Sequence, residues 1–495
     1  MKRLLVIFSL MLILTACGAS NQPVESMTAN NTQSVEENHG GGTSQTPIEE
    51  ETEVEFKLNK TFQTLLDEVN ATHEVITFYN GDYSAYMGQY ENPDFDPSVC
   101  RHDPDAVLMG SDILTLEQVT ADMELYYEAL RTNYGGYKYF GGDEMFRPAI
   151  DAVIADCAAM DTITAANWIE SILRHLSFVK DGHFAVAETH LAECSVPTFF
   201  RSISFQKTEA GYVAQNGKIV ASVDCYENLD ELFKLSLTKD GELVYYPILL
   251  EKFPSQQLKR GLVLSNTCLT VRFTDESIQF LYPEPFFLGS YATEDANALV
   301  REEDGIPIVT VNQFYPINGG MTFTDSAFRY RDTDILIMDL RTNKGGLPEM
   351  VSQWFTDYAQ REVWAHSMNL RLGDPNPVYE RYFSRIDEEF VPMDNVLVVL
   401  TSKLTGSGGD DFVDFAHNLE NTIIVGENTA GILAVNQRKW TLPNTGLSVF
   451  FGDTLFLHPE EYFEEYRGYL PDIWVPAAEA EEAVMNFIAK NTTAN

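Results

Sequence analysis

Val398-Val399-Leu400-Thr401-Ser402-Lys403-Leu404-Thr405-Gly406-Ser407-Gly408-Gly409-Asp410 begins as a continuous apolar run and ends in small and polar residues. The run has the length of a buried strand, and its polar end opens a helix expected over Gly408 to Leu419. A second exit of this kind, Ile337-Met338-Asp339-Leu340-Arg341-Thr342-Asn343-Lys344-Gly345-Gly346, lies upstream. Short apolar runs at Ile306 to Val311, Ile335 to Leu340, Val396 to Leu400 and Thr422 to Val425 alternate with helical stretches, one of them Pro348 to Gln360. This texture predicts a layered α/β core with a mostly parallel sheet over residues 301–490.

In such cores chemical groups gather where strands end and helices begin. Glycines at 345 and 346 leave backbone N–H groups approachable, as stabilising a developing oxyanion requires, although a Gly-Gly turn after a strand also serves structure alone. Ser407 falls at a helix N-terminus, where unpaired N–H groups and the dipole favour negative charge. It reads equally as a nucleophile beside the Gly408 amide or as a plain N-cap.

Working outward, Leu114 to Leu130, Glu144 to Met160 and Thr164 to Leu176 carry apolar residues at helical spacing, with Thr115 and Glu117 in the first turn of the first. Residues 56–190 are therefore expected to be mostly helical, leading into Asp181-Gly182-His183. Residues 191–300 read as short strands, such as Gly211 to Ala214 and Leu269 to Phe273, around one helix at Leu229 to Leu237. A small β-rich insert is expected there.

The two strand exits, followed by Ile424-Val425-Gly426-Glu427-Asn428-Thr429-Ala430-Gly431 and by Glu465-Tyr466-Arg467-Gly468-Tyr469-Leu470-Pro471-Asp472-Ile473, and preceded by Asp181-Gly182-His183, form an ordered series. Together they resemble the tail-specific, C-terminal processing and tricorn-type serine peptidases, which implies a ClpP/crotonase-like core and hydrolysis of peptide or protein substrates through an acyl-enzyme. The resemblance makes Ser407 the nucleophile and gives the oxyanion hole to Gly408 and the Gly345-Gly346 pair. One branch of the family places a Lys base where this chain has Ile432. The tricorn-like branch uses a His instead, which points to His183, with Glu465 linked to it through a Ser; Gly182 stands where that Ser is expected. Lys344 and Lys403 lie near the two exits as alternative bases. Ser177-Phe178-Val179-Lys180 fits a Ser-x-x-Lys pattern but has no Lys-Thr-Gly partner, and is read as chance. The β-rich stretch sits where processing peptidases often carry a PDZ domain, and here a degenerate, PDZ-like module is expected. A peptide-binding or scaffolding protein that keeps the fold without the activity, and a solute-binding lipoprotein, are the other readings.

The 495 residues allow two or three domains, and 74 acidic against 33 basic side chains give a net charge of −41. That charge repels phosphate backbones, so no nucleic-acid partner is expected. No HExxH and no Cys/His cluster at zinc spacing occurs, and no cofactor or metal is expected. Lys2 and Arg3, the apolar run Leu4 to Leu14, and Leu14-Thr15-Ala16-Cys17-Gly18 look like a lipoprotein signal peptide over residues 1–17. The resemblance to a lipobox implies that Cys17 is lipidated and that the protein is exported and held on the outer side of the bacterial cell membrane. Residues 18–55 are polar and Gly-rich, a tether of roughly 30 Å mean reach. Cys100, Cys157, Cys194, Cys225 and Cys268 permit at most two disulfides and require none.

Overall fold

The computed structural model describes residues 57–73, 78–88, 90–190, 193–224, 226–258, 261–289, 298–316, 323–373, 378–379 and 393–493. The signal peptide, Cys17, the tether and Cys225 lie outside them. The principal helices are α1 (Lys60–His73), α2 (Leu116–Asn133), α3 (Gly142–Ala158), α4 (Ala165–His175), α5 (Pro348–Ala359), α6 (Gly408–Ala416) and α7 (Ala477–Asn491). Eleven strands make the main sheet. They are β1 (Glu193–Phe199), β2 (Phe205–Thr208), β3 (Gly211–Ala214), β4 (Phe233–Leu237), β5 (Leu243–Pro254), β6 (Ala298–Glu303), β7 (Ile306–Val311), β8 (Ile335–Asp339), β9 (Val396–Thr401), β10 (Thr422–Gly426) and β11 (Ile473–Trp474).

Strand order is β6-β7-β8-β9-β10-β11-β4-β5-β2-β3, with β1 also paired to β5. From β7 to β11 the pairs are parallel, as their near-continuous apolar sequences require of strands covered on both faces. The sheet as a whole is mixed rather than mostly parallel. On one side β6 and β7 form an antiparallel hairpin, because Asp304 and Gly305 both take positive φ and close a two-residue turn. On the other side β4 joins β11 in parallel at Ser236 and Trp474 and carries the sheet into antiparallel β5, β2 and β3. Part of the β-rich stretch thus shares the sheet of the core, while Val220–Val223, Leu269–Phe273 and Ile278–Leu281 form a separate three-stranded sheet.

Alternation along the central strands sends successive side chains to opposite faces. Leu336, Met338, Leu397 and Val399 pack against Trp354 and Phe355 of α5 and Phe412 and Phe415 of α6. Ile335, Ile337, Val396 and Val398 pack against Phe62 and Leu66 of α1 and Val484 and Phe487 of α7. Each fully buried Leu, Ile or Phe contributes about 1.5–3 kcal/mol, so the sheet and its helices form a rigid base for the strand exits.

The expected helix Leu229 to Leu237 is corrected. Only Leu229–Leu232 is helical, because the alternating Phe233-Lys234-Leu235-Ser236-Leu237 pairs residue for residue with β5. The upstream helices follow their apolar spacing closely. Helix α2 starts on a capping box in which the Thr115 Oγ1 accepts from the Gln118 amide at 3.2 Å and the Gln118 Oε1 accepts from the Thr115 amide at 3.0 Å. Their core, built on Met123, Tyr126, Phe146 and Trp168, is completed by Val435, Val449 and Phe451 from the far end of the chain. Cys100, Cys157, Cys194 and Cys268 are free thiols.

The first strand exit is anchored by buried Arg341. Its Nε and Nη2 donate to the two oxygens of Asp339 at 2.8 Å each, its Nη1 to the Ala477 carbonyl at 2.9 Å, and its Nη2 also to Glu481 at 2.6 Å. Arg341→Met leaves Asp339 buried and unpaired, and is expected to lower unfolding free energy by about 3–5 kcal/mol in chemical denaturation. The more exposed Arg147→Met, which breaks ion pairs to Glu124 and Asp151, is expected to cost under about 1 kcal/mol. Equal effects would contradict the anchoring role of Arg341.

Candidate active site

Ser407 caps α6 with φ 54° and ψ −121°. This is a sparsely populated conformation for a residue with a side chain, and such conformations cost on the order of 1–3 kcal/mol. Asp410 holds it in place. The fully buried Asp410 carboxylate accepts from the Ser407 amide at 2.9 Å through Oδ2, from Ile432 at 3.0 Å through the same oxygen, and from Gly431 at 3.1 Å through Oδ1. One carboxylate thus fixes the elbow against the 431–432 turn. Burial pushes its pKa up, and the hydrogen bonds it accepts oppose that.

The elbow is tied to the other strand exit. Thr405 Oγ1 donates to the Leu340 carbonyl at 2.8 Å, Ser402 Oγ to the Arg341 carbonyl at 2.6 Å, and the Gly406 amide to the Asn343 carbonyl at 3.1 Å. Asn343 Oδ1 in turn accepts from the Gly345 amide at 2.8 Å. Of the glycine pair, Gly345 therefore has its N–H engaged. Gly346 is bridged to Phe314 through its neighbours: the Phe314 amide donates to Gly345 and the Leu347 amide to Phe314, so the Gly346 N–H points away from that bridge. A Cβ added at Gly408 would lie 3.1 Å from the Gly346 nitrogen, so the two glycines adjoin beside Ser407. At Gly346, φ is 141° and an added Cβ would come within 2.6 Å of the Phe314 carbonyl, so only glycine fits.

His183 arrives from the other end of the chain. Its Nε2 lies 3.1 Å from Ser407 Oγ, and its Nδ1 lies 2.5 Å from the Val435 carbonyl. A carbonyl only accepts, so the proton sits on Nδ1 and Nε2 presents a lone pair to the hydroxyl. Burial pulls the His183 pKa down to about 4, the Val435 hydrogen bond opposing. The imidazole is therefore neutral at neutral pH. Its turn is set by Asp181, which accepts from the His183 amide at 2.9 Å and from the Tyr134 hydroxyl at 2.8 Å. Burial raises the Asp181 pKa to about 7.

Glu465 does not reach the His183 ring through an intervening side chain. Its Oε1 accepts from the Gly182 amide at 2.7 Å, and its Oε2 accepts from the amides of Leu433 at 3.1 Å and Ala434 at 2.9 Å. One carboxyl group thus fixes the residue before the imidazole and the two residues before its carbonyl acceptor. A Cβ at Gly182 would lie 2.7 Å from Ile432 Cγ2 and 2.9 Å from Glu465 Oε1, so a serine there requires these two side chains to shift. Burial first, then the charge of Asp181, pushes the Glu465 pKa well above the usual carboxylate range.

The alternative bases stand elsewhere. Lys403 is buried with its Nζ donating to the carbonyls of Thr429 at 2.7 Å, Ala430 at 3.0 Å, Tyr466 at 3.0 Å and Arg467 at 3.3 Å, clamping two loops together. Burial lowers its pKa to about 8. Lys344 is exposed. Ile432 packs its side chain against Gly182. Sequence reasoning missed Asp410, although Ser-x-x-Asp at 407–410 is the spacing of a capping box. Val435 had no signal to offer, since its carbonyl is common to every residue type.

Residues 305–475 match the family model of peptidase family S41. No curated protein matches the chain in sequence. Solved structures with loose overall likeness include mature CPAF, at 11% identity and a TM-score of 0.43 over 76% of this chain and 96% of that one. The photosystem II D1 C-terminal processing protease aligns at 13% identity and a TM-score of 0.38 over 76% of this chain and 98% of that one. The tricorn protease aligns at 14% identity and a TM-score of 0.33 over 75% of this chain and 35% of that one. The assignment rests on that sequence match: residues 305–475 carry a peptidase family S41 domain, and the chain is a serine-type peptidase.

Proposed function

We propose that the protein is a membrane-anchored, extracytoplasmic endopeptidase that cleaves peptide bonds through an acyl-enzyme on Ser407, with His183 as general base and acid. The observation that carries this reading is the 3.1 Å approach of His183 Nε2 to Ser407 Oγ across 224 residues of sequence, with Nδ1 committed to a carbonyl. In the proposed reaction Nε2 takes the hydroxyl proton as Oγ attacks the scissile carbonyl, and the imidazolium returns it to the leaving amine. The Gly346 and Gly408 amides receive the oxyanion. Water then attacks the ester, with His183 again as base. Glu465 acts as a positioning residue: it sets His183 and Val435 through their neighbouring amides.

Ser407→Ala is expected to abolish hydrolysis of an unstructured protein substrate and labelling by a fluorophosphonate, and His183→Ala to lower kcat by about 10³-fold or more. Both Glu465 oxygens accept from N–H groups, so Gln at this position turns an NH₂ toward a donor. Glu465→Gln is expected to lower kcat by about 10²-fold with KM little changed, through misplacement of the base. Retained hydrolysis in both Ser407→Ala and His183→Ala would contradict the mechanism. A folded wild-type chain that resists labelling would favour an inactive binding protein.

The anchor rests on the sequence Leu14-Thr15-Ala16-Cys17 behind a short apolar run. Several acyl chains on one cysteine suffice for stable attachment without a spanning helix. Cys17→Ser in a bacterial host is expected to move the protein from the membrane pellet to the soluble fraction. Unchanged pelleting would contradict lipidation at Cys17.

A further inference from the structure

Helix α6, which opens on Ser407, closes on His417. Beside it lies the last turn of α1, which carries His73, and the segment leading into β11, which carries Asp472. One ligand atom from each of His73, His417 and Asp472 lies within 4.8 Å of the other two. His73 is 8% and His417 5% exposed. The Nδ1 atoms of both rings are buried without a hydrogen-bond partner among the described residues. Leaving a polar atom unpaired in the interior costs about 1–3 kcal/mol, and the His417 Nδ1 asks for an explanation; the His73 Nδ1 lies across its ring from the Nε2 that faces Asp472.

We propose that His73, His417 and Asp472 form a binding site for one divalent transition-metal ion of the zinc class. The donor set suits it. Two imidazoles and one carboxylate are the ligand types such ions take, with a further position open to water. His73 Nε2 already lies 3.0 Å from Asp472 Oδ1, close to the spacing of about 3.3 Å between neighbouring ligands on a tetrahedral ion. An ion there displaces the proton these two groups share. Asp472 is oriented for the task, its other oxygen accepting from the Ile424 amide at 2.7 Å.

Two further features favour a cation at this point. Helices α1 and α6 both end here, and the negative ends of two helix dipoles converge. The three residues also line a cavity of about 520 Å³ whose charged walls include Glu68 and Glu461 as well as Lys234. The neighbouring His366 and His458 are not part of the set. His366 Nδ1 lies 2.7 Å from the buried Asp414, and His458 Nδ1 lies 3.0 Å from the Tyr469 hydroxyl. A bound ion would tie the first helix of the described chain to the far end of the helix that Ser407 caps.

Chelator-stripped, tag-free full-length chain is expected to bind one equivalent of Zn²⁺ in calorimetry, and Co²⁺ is expected to give visible ligand-field bands of nitrogen and oxygen ligation. His417→Gln and Asp472→Asn should each weaken binding at least about tenfold, whereas His102→Gln, remote from the cluster, should leave it unchanged. Folding of each variant is checked by circular dichroism. The wild-type Co²⁺ spectrum decides the question even if a variant fails to fold. No binding by folded wild-type chain, or stoichiometric binding that persists in both folded variants, would overturn the proposal.

Discussion

The hydrogen bond from the His183 Nδ1–H to the Val435 carbonyl determines what the site can do. It fixes the tautomer, and with it the availability of Nε2 at 3.1 Å from Ser407 Oγ. A carboxylate in that position would raise the basicity of the ring and counter the charge it gains on accepting a proton. A carbonyl gives direction and only partial charge. The ring is instead buried and neutral, with its pKa drawn down to about 4. Such a base stays unprotonated far into the acid range, at the cost of weaker driving force for taking the serine proton.

Because the acceptor is backbone, its position must come from what holds the backbone, and three carboxyl groups do this, Asp181 and Asp410 fully buried and Glu465 partly so. Asp181 forms the turn into His183, Glu465 joins Gly182 to Leu433 and Ala434, and Asp410 joins Ser407 to Gly431 and Ile432. Each accepts from main-chain amides. Burial raises the pKa of all three, so their hydrogen bonds are needed to offset desolvation as well as to set geometry. Lys403 completes the arrangement from the opposite sign, giving its protons to four carbonyls of the same loops. The site is therefore a set of loops closed on one another by three carboxyl groups and one buried lysine, resting on the strand exits of a rigid sheet.

Much of this was legible in the sequence because it depends on local pattern. The parallel strands announce themselves as apolar runs, and β7 spans Ile306–Val311 as its composition requires. The Ser407 elbow and the glycine pair follow from strand-to-turn transitions. Three things were hidden. The helix expected through Leu237 gave way to a strand because pairing with β5 outweighs the local signal of Leu229 to Leu232. The orienting group of His183 is a carbonyl, which no residue type marks. The histidine pair at 73 and 417 lies 344 residues apart, so no ligand spacing betrays it; only the convergence of two helix ends does.

The claim that a buried, carbonyl-held imidazole is the base is tested most directly by the pH dependence of kcat/KM on a neutral peptide substrate, which reports the essential groups of the free enzyme. Asp181, pushed up to about 7 by burial, and Glu465 also titrate beside His183, so the profile is compared with that of Asp181→Asn, and the acid limb common to both belongs to the imidazole. The account expects activity to persist below pH 6 and to fall by half near pH 4, where His183 gains its proton. An acid limb centred at or above the ordinary imidazole value of 6.5 would contradict it, and would mean that the base in the working enzyme is solvated or paired with a carboxylate.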